Sequence, residues 1–190
     1  MKQRGRDKFN KYKKGIKFLV KITGYLPKTI QLKIFKWNIN TQGKLGIVIR
    51  YIFLCNICKY CGDNVSVHPG VHMFNLHNIE IGNNVSIHPM CYIDGKGGII
   101  IGNDVSIAHG TSILTTEHIY RNLETNIKDQ GLIEKCTVIK DNVWLGSGVK
   151  ILAGSTIREG VIIAAGAVVN GDTVCNTIYG GIPYRQIKER

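Results

Sequence analysis

No apolar run in this chain is long enough to cross a membrane. Its longest apolar stretches, such as Ile47 to Cys55, are short and carry Arg50, whereas a spanning helix needs roughly 20 apolar residues. No secretory leader is expected either. The start is basic, but Lys17 and Lys21 interrupt the part that should be apolar, and no small-residue cleavage site follows. The expectation from both absences is a cytoplasmic location. Acidic residues are scarce at one end. Residues 1–60 hold fifteen of the 25 Lys and Arg but only one of the 13 acids, Asp7. The net charge of +12 therefore belongs to the N-terminal segment, and residues 61–190 are close to neutral. A fourth metal ligand is also missing. Cys55, Cys58 and Cys61 read C-x-x-C-x-x-C, yet Gly62 to Val67 add no further Cys or His. These thiols read instead as reduced, small hydrophobes of a cytosolic protein, as do Cys91, Cys136 and Cys175. No metal is expected.

What the 190 residues do have is a repeat. An aliphatic residue recurs at every sixth position, usually followed by Gly, then polar residues, then a small or β-branched residue four places on. "CGDNVS" starts at Cys61, "IGNNVS" at Ile81, "IGNDVS" at Ile101 and "IKDNVW" at Ile139. The first positions run Cys61, Val67, Met73; Ile81, Ile87, Ile93; Ile101, Ile107, Ile113; Ile139, Leu145, Ile151; and Ile157, Ile163, Val169. Each hexad is a short strand plus a turn, and three hexads close one triangular coil. The aliphatic residue points inward and stacks on its equivalents above and below, each contributing roughly 1.5–3 kcal/mol. Gly, Asn and Asp suit the corners, where left-handed backbone angles are easiest for them. The expectation is a mainly β protein, a parallel β-helix of about five coils over residues 61–174, stabilised by its stacked neighbours.

The register slips at regular places. The third hexad stretches to eight residues in the first coil (Met73 to Glu80) and in the second (Ile93 to Ile100). In the third coil it stretches to 26 residues, Ile113 to Val138. All three extras leave the prism at one corner, and insertions on one side of a solenoid usually mark its binding side. Residues 1–60 differ. Phe9, Tyr12, Ile16, Leu19 and Val20 have helical spacing with lysines between them. Pro27 interrupts, and two further helical stretches follow, around Thr29 to Trp37 and Leu45 to Cys58. This basic amphipathic helical segment is expected to cap the prism and hide its open strand edges. Residues 175–190 are expected to pack on the prism as a tail running back along a face.

Three segments resemble the hexapeptide-repeat acyltransferases, and within them the maltose, galactoside and capsular-polysaccharide O-acetyltransferases. They are "SIAHGTSILTTEH", "VWLGSGVKILAGSTI" and "AAGAVVNGDTVCNTIYGGIPYRQIK". The resemblance covers about residues 61–190. It implies a left-handed coil, against the usual right-handed crossover rule, and a homotrimer with active sites between subunits. It implies acetyl-CoA as acyl donor and a sugar or oligosaccharide as acceptor.

Acetyl transfer to a hydroxyl needs a base, donors for the oxyanion, and two substrates held together. Histidine suits the first role because its pKa lies near working pH. Of six histidines, His68, His88 and His109 read as outward residues of their hexads, and His72 and His77 lie in the first coil and its bulge. His118 stands where the long insertion leaves the third coil and matches the family base. Glu117 is a candidate to orient the site. Asp94, near the insertion corner one coil below, resembles an acid that binds the acceptor, although such corners also favour a simple turn aspartate. Trp144 interrupts the small-residue pattern and reads as outward-facing; the resemblance implies that it lines the channel beside the thioester, and a subunit interface is the other reading. Ser147, Ala165 and Gly166 match positions that meet the pantetheine and adenine parts of the donor. Arg185 and Lys188 match basic residues near its phosphates. Asn170 and Gly171 replace the Thr-Lys that many relatives carry, so one phosphate contact is missing or supplied elsewhere. The stretched hexads are expected to gather the insertion, His118 and Trp144 at one region of the prism.

Rival readings stay in view. A γ-carbonic-anhydrase-like zinc protein shares the fold, but the one histidine pair five residues apart, His72 and His77, falls early, without the accompanying pattern. An N-acetyltransferase acting on an amino sugar uses the same base. A serine acetyltransferase would need a large helical domain ahead of the prism. The basic N-terminal segment admits nucleic acid, but its interleaved apolar residues fit contact with an anionic membrane surface at least as well.

Overall fold

A computed structural model describes residues 5–190. Three helices come first: α1 (Gly5–Thr23), α2 (Lys28–Trp37) and α3 (Gly43–Ile57). Among the described residues, no helix is long and apolar enough to cross a membrane. Five coils follow. Coil one holds β1 (Tyr60–Cys61), β2 (Ser66–Val67) and β3 (His72–Phe74). Coil two holds β4 (Ile79–Ile81), β5 (Ser86–Ile87) and β6 (Tyr92–Asp94). Coil three holds β7 (Ile99–Ile101), β8 (Ser106–Ile107) and β9 (Ser112–Ile113), then extrudes the hairpin β10 (Thr116–His118) and β11 (Leu132–Glu134). Coil four holds β12 (Thr137–Ile139), β13 (Trp144–Leu145) and β14 (Lys150–Ile151), and coil five β15 (Thr156–Ile157), β16 (Ile162–Ile163) and β17 (Val168–Val169). The chain ends in β18 (Thr177–Gly180) and β19 (Arg185–Glu189).

Strands stack in parallel into three faces. The first face is β1-β4-β7-β12-β15, the second β2-β5-β8-β13-β16-β18-β19, and the third β3-β6-β9-β14-β17. The register follows the hexads, as in Cys61↔Ile81↔Ile101↔Ile139↔Ile157. The inward positions from Ile81 to Val169 are buried, and so are the fifth positions Val85, Val105, Val143 and Val161. Cys61 is only partly buried, because the end coil has no coil beneath it. Corners between the first and second faces use Asn64, Asn84, Asp104 and Asn142 at positive φ. Their side chains form a ladder, Asn64 Nδ2 donating to Asn84 Oδ1 and Asn84 Nδ2 to Asp104 Oδ1, each at 3.1 Å. The corner amides thus serve the backbone turn and stack the coils together.

Helix α3 packs on β1 and β2, over the open end of the prism. Arg50, fully buried, pins it there. Its Nε donates to the Val67 carbonyl at 2.8 Å, and its Nη1 to the carbonyls of Asn38 at 2.6 Å and Thr41 at 2.9 Å. The Tyr51 hydroxyl donates to the Gly62 carbonyl at 3.0 Å. Helix α1 runs alongside the corner ladder: Arg6 bonds Asp104 of coil three at 2.7 Å, while Lys13 and Lys17 pair with Asp63 of coil one at 2.6 and 2.7 Å. The α1 stripe read from spacing divides. Phe9, Ile16 and Val20 pack inward, whereas Tyr12 and Leu19 are exposed. Cys55, Cys58 and Cys61 are free thiols packed at this junction. Burial pushes the Cys58 thiol up, as expected of a small buried hydrophobe.

The tail does not run back along a face. β18 continues the second face beyond coil five, parallel to β16, and β19 folds antiparallel onto β18. The reason is register: Ile178 and Tyr179 take the next positions beyond Ile162 and Ile163, so the coil pattern persists one strand further.

Candidate active site

The corner where the third face turns into the first is short in coils one and two. In coil three it becomes the hairpin and the loop 119–131. Two fully buried threonines hold the root. The Thr115 hydroxyl donates to the Asp94 carbonyl and accepts from the Gly97 N–H, both at 2.8 Å. The Thr137 hydroxyl donates to the Leu114 carbonyl at 2.9 Å. Backbone groups that the departing chain would leave unpaired are satisfied this way. Further out, Gln130 closes the loop: its Nε2 donates to the carbonyls of Asn122 and Thr125, each at 2.7 Å.

His118 lies at the outer end of β10, opposite Leu132, and is exposed. Among the described residues nothing hydrogen-bonds its ring. Glu117 precedes it but projects to the other side of the strand. Its carboxylate pairs with Lys135 at 2.7 Å across the hairpin. Glu117 therefore ties the two hairpin strands together, and within this chain it does not orient His118. Asp94 Oδ1 accepts from Asn75 Nδ2 at 2.8 Å and from the Lys96 N–H at 3.2 Å. The second bond is an Asx turn, so this half-buried carboxylate shapes the turn directly under the hairpin root.

Trp144 sits on the second face, 52% exposed. One line of register partners runs Ser106↔Trp144↔Ile162↔Ile178↔Lys188. Trp144 and Lys188 are three strand spacings apart, about 14 Å. Arg185, at the other end of β19, faces Gly180. Ser147, Ala165 and Gly166 lie at the adjoining corner, where the Gly166 N–H donates to the Ser147 carbonyl at 2.8 Å. Gly166 has φ +72°, and with Ala165 it is exposed. A Cβ on Gly146 would fall 2.6 Å from the Ala165 nitrogen, so glycine lets coils four and five close up beside the tryptophan.

These two groups do not converge within one chain. The hairpin leaves between the third and first faces, while Trp144 stands on the second face, opposite that vertex of the triangular prism. The expectation that one region of the prism gathers both is corrected on this point. The structure also adds a groove of about 1170 Å³ between α1, the start of α3 and the second face. Ser66, Ser86 and Ser106 form its floor, and Phe9, Tyr12 and Val48 line its helical side. Serine at 20-residue intervals is the sequence signal of that floor, small enough to leave room. Ser106 is the register partner of Trp144, so the groove opens onto the same strand line. Nearby, the His68 and His88 rings stack at 4.9 Å. Among the described residues, no three His, Cys, Asp or Glu side chains come together as a metal site.

The family model for bacterial transferase hexapeptide (six repeats) matches residues 136–171. A Saccharomyces cerevisiae protein named as an acetyltransferase is 35% identical over 166 residues, 85% of this chain and 81% of the relative. Galactoside O-acetyltransferase of Escherichia coli K12 is 29% identical over 129 residues, 67% of this chain and 62% of the relative. The hexapeptide-repeat acetyltransferase VCA0836 of Vibrio cholerae, solved with acetyl coenzyme A, aligns at a TM-score of 0.68 and 28% identity, covering 84% of this chain and 85% of that one. Against three curated relatives, the shared stretch is 25%, 60% and 62% of the relative's own length.

Proposed function

The chain belongs to the hexapeptide-repeat acetyltransferases and shares their left-handed parallel β-helix, and from that premise we propose that it transfers an acetyl group from acetyl-CoA to a hydroxyl of a sugar, in surface or capsular polysaccharide biosynthesis. One observation carries the arrangement. His118 and the Trp144–Lys188 line sit on opposite sides of one prism, each exposed. A homotrimer that sets the hairpin corner of one copy against the second face of the next brings them together, in three equivalent sites.

In that groove Trp144 flanks the thioester end of the donor, and the corner of half-buried Ser147 with exposed Ala165 and Gly166 offers backbone groups to its arm. Lys188 and Arg185, at the far end, meet its phosphates. The groove floored by Ser66, Ser86 and Ser106 runs into this line from the other side and gives the acceptor its approach. The His118 imidazole takes the proton of the acceptor hydroxyl as that oxygen bonds to the thioester carbonyl carbon. When the tetrahedral intermediate collapses, the carbon–sulfur bond breaks, and the imidazolium returns the proton to the leaving thiolate. Direct attack in a ternary complex needs no acyl-enzyme. Asp94 acts through the hairpin root and through acceptor hydroxyls within its reach.

A coenzyme A release screen across sugars, amino sugars and short oligosaccharides tests the reading. Release with hydroxyl acceptors supports it, and release with amino sugars alone reassigns the acceptor atom. His118→Ala is expected to lower turnover by about 10²–10⁴-fold with folding intact. Unchanged turnover removes His118 from the mechanism.

A further inference from the structure

Helix α1 is apolar on two sides, and only one is used by the fold. Phe9, Ile16 and Val20 face the prism and α3. Phe18 projects from the opposite side and is 63% exposed, with Ile22 one turn further on the same face. Tyr25, 81% exposed, and Leu26 follow in the turn after α1, and Ile30 on α2 is exposed as well. Trp37, 88% exposed, lies two helical turns beyond Ile30. Side chains of this size, grouped and uncovered, mark a contact surface rather than scattered exposure.

Its location is fixed by the ion pairs along α1. Arg6 reaches coil three and Lys17 reaches coil one, so residues beyond 17 lie past the N-terminal end of the prism. Asn56 Nδ2 holds them there, donating to the Val20 carbonyl and the Thr23 hydroxyl, each at 3.0 Å. The surface is therefore presented at one pole, away from the third coil and its hairpin.

Lysines frame this apolar surface. Lys13 and Lys17 share the single carboxylate of Asp63, and among the described residues Lys14, Lys21, Lys33 and Lys36 have no carboxylate partner. With one acid in residues 1–60, the field at this pole is strongly positive. That field opposes burial of the surface against a second copy of itself, because like charges would be brought together. It also calls for a partner that is both anionic and apolar. We propose that the outer face of α1 and the α1–α2 turn docks on an anionic lipid bilayer, with Phe18, Ile22 and Tyr25 inserted at headgroup depth and Lys14 and Lys21 on the lipid phosphates. In a trimer the three poles point the same way and bind together, which multiplies weak single contacts. The third coil then stands two strand spacings above the first, with the helical cap below it, so the hairpin lies roughly 20 Å from the bilayer. The docking itself is independent of the acetyltransferase reading.

The test is co-sedimentation of the full chain with vesicles of phosphatidylcholine alone and of phosphatidylcholine with phosphatidylglycerol. Binding is expected only to the anionic vesicles and is expected to fall with added salt. Phe18→Ser combined with Ile22→Ser and Tyr25→Ser, and separately Lys14→Glu with Lys21→Glu, should each weaken it by about tenfold or more. Coenzyme A release with a soluble acceptor should be unchanged in both variants, which separates this proposal from the catalytic one. Absence of binding to anionic vesicles overturns the proposal, as does equal binding to neutral ones. Retention of binding in the serine variant, with competition by duplex DNA, would make the surface a nucleic-acid site instead. Loss of self-association in that variant, without any vesicle binding, would make it a contact between copies.

Discussion

If each active site takes His118 from one copy and the Trp144 line from its neighbour, two inactive variants should rescue one another when mixed. The first variant is His118→Ala, which keeps an intact second face. The second is Trp144→Asp, which puts a charge where the thioester arm must lie and keeps an intact hairpin. Trp144 is half-exposed on β13, and its neighbours in register, Ser106 and Ile162, need nothing from it to stay paired. Both chains should therefore fold and assemble. In trimers formed at random from equal amounts, a site works only when its hairpin comes from the tryptophan variant and its second face from the histidine variant. That happens at about one interface in four. Co-expressed and purified through two different tags, which discards the homotrimers, every remaining trimer holds one working site in three, so the mixture should show about one third of parental turnover per site, while each variant alone shows ~1% or less. The assay is coenzyme A release under saturating donor and acceptor. A mixture no more active than the two variants apart would refute the placement, because a site built within one chain has no functional combination. A monomer in sedimentation analysis would refute it as well.

The cap and the histidine stack give two more expectations. Arg50→Met removes three donations, one buried to Val67 and two part-buried to Asn38 and Thr41. The orphaned carbonyls should cost about 3 kcal/mol in all, seen as a lower urea midpoint with an unchanged slope; a loss below ~1 kcal/mol would show that the cap is held elsewhere. His68 is held below the ordinary histidine pKa by burial, with His88 and Arg50 adding to it. The folded chain then binds fewer protons than the unfolded one near pH ~6.5, so this contribution is present above that pH and is lost as pH falls toward the folded value. Urea midpoints should drop between pH ~7.5 and ~5.5 in the parent and drop less in His68→Gln. Parallel pH profiles would dismiss the stack as a source of acid sensitivity.

The six-residue period was legible without coordinates because each inward residue is dictated locally: an aliphatic side chain six places on lands on the next face of the same coil. The fifth positions, the Asn and Asp corners and the exit of the long insertion after Ile113 follow from the same spacing. Helix boundaries were close for the same reason, with Pro27 and Gly43 punctuating α1, α2 and α3. His118 and Trp144 were visible as departures from the pattern. Their relation was not, because a period counts residues along the chain and says nothing of which vertex faces which side. Only the strand pairing put the hairpin between the third and first faces and the tryptophan on the second. The roles of Glu117 and Asp94 needed coordinates too, since Lys135 and Asn75 reach them from 18 and 19 residues away. The same holds for α1. Sequence spacing showed an amphipathic helix, but packing decided that Phe9, Ile16 and Val20 are spent on the interior. Phe18, Ile22 and Tyr25 stay uncovered because helix α3 and the prism can bury only one side of a helix.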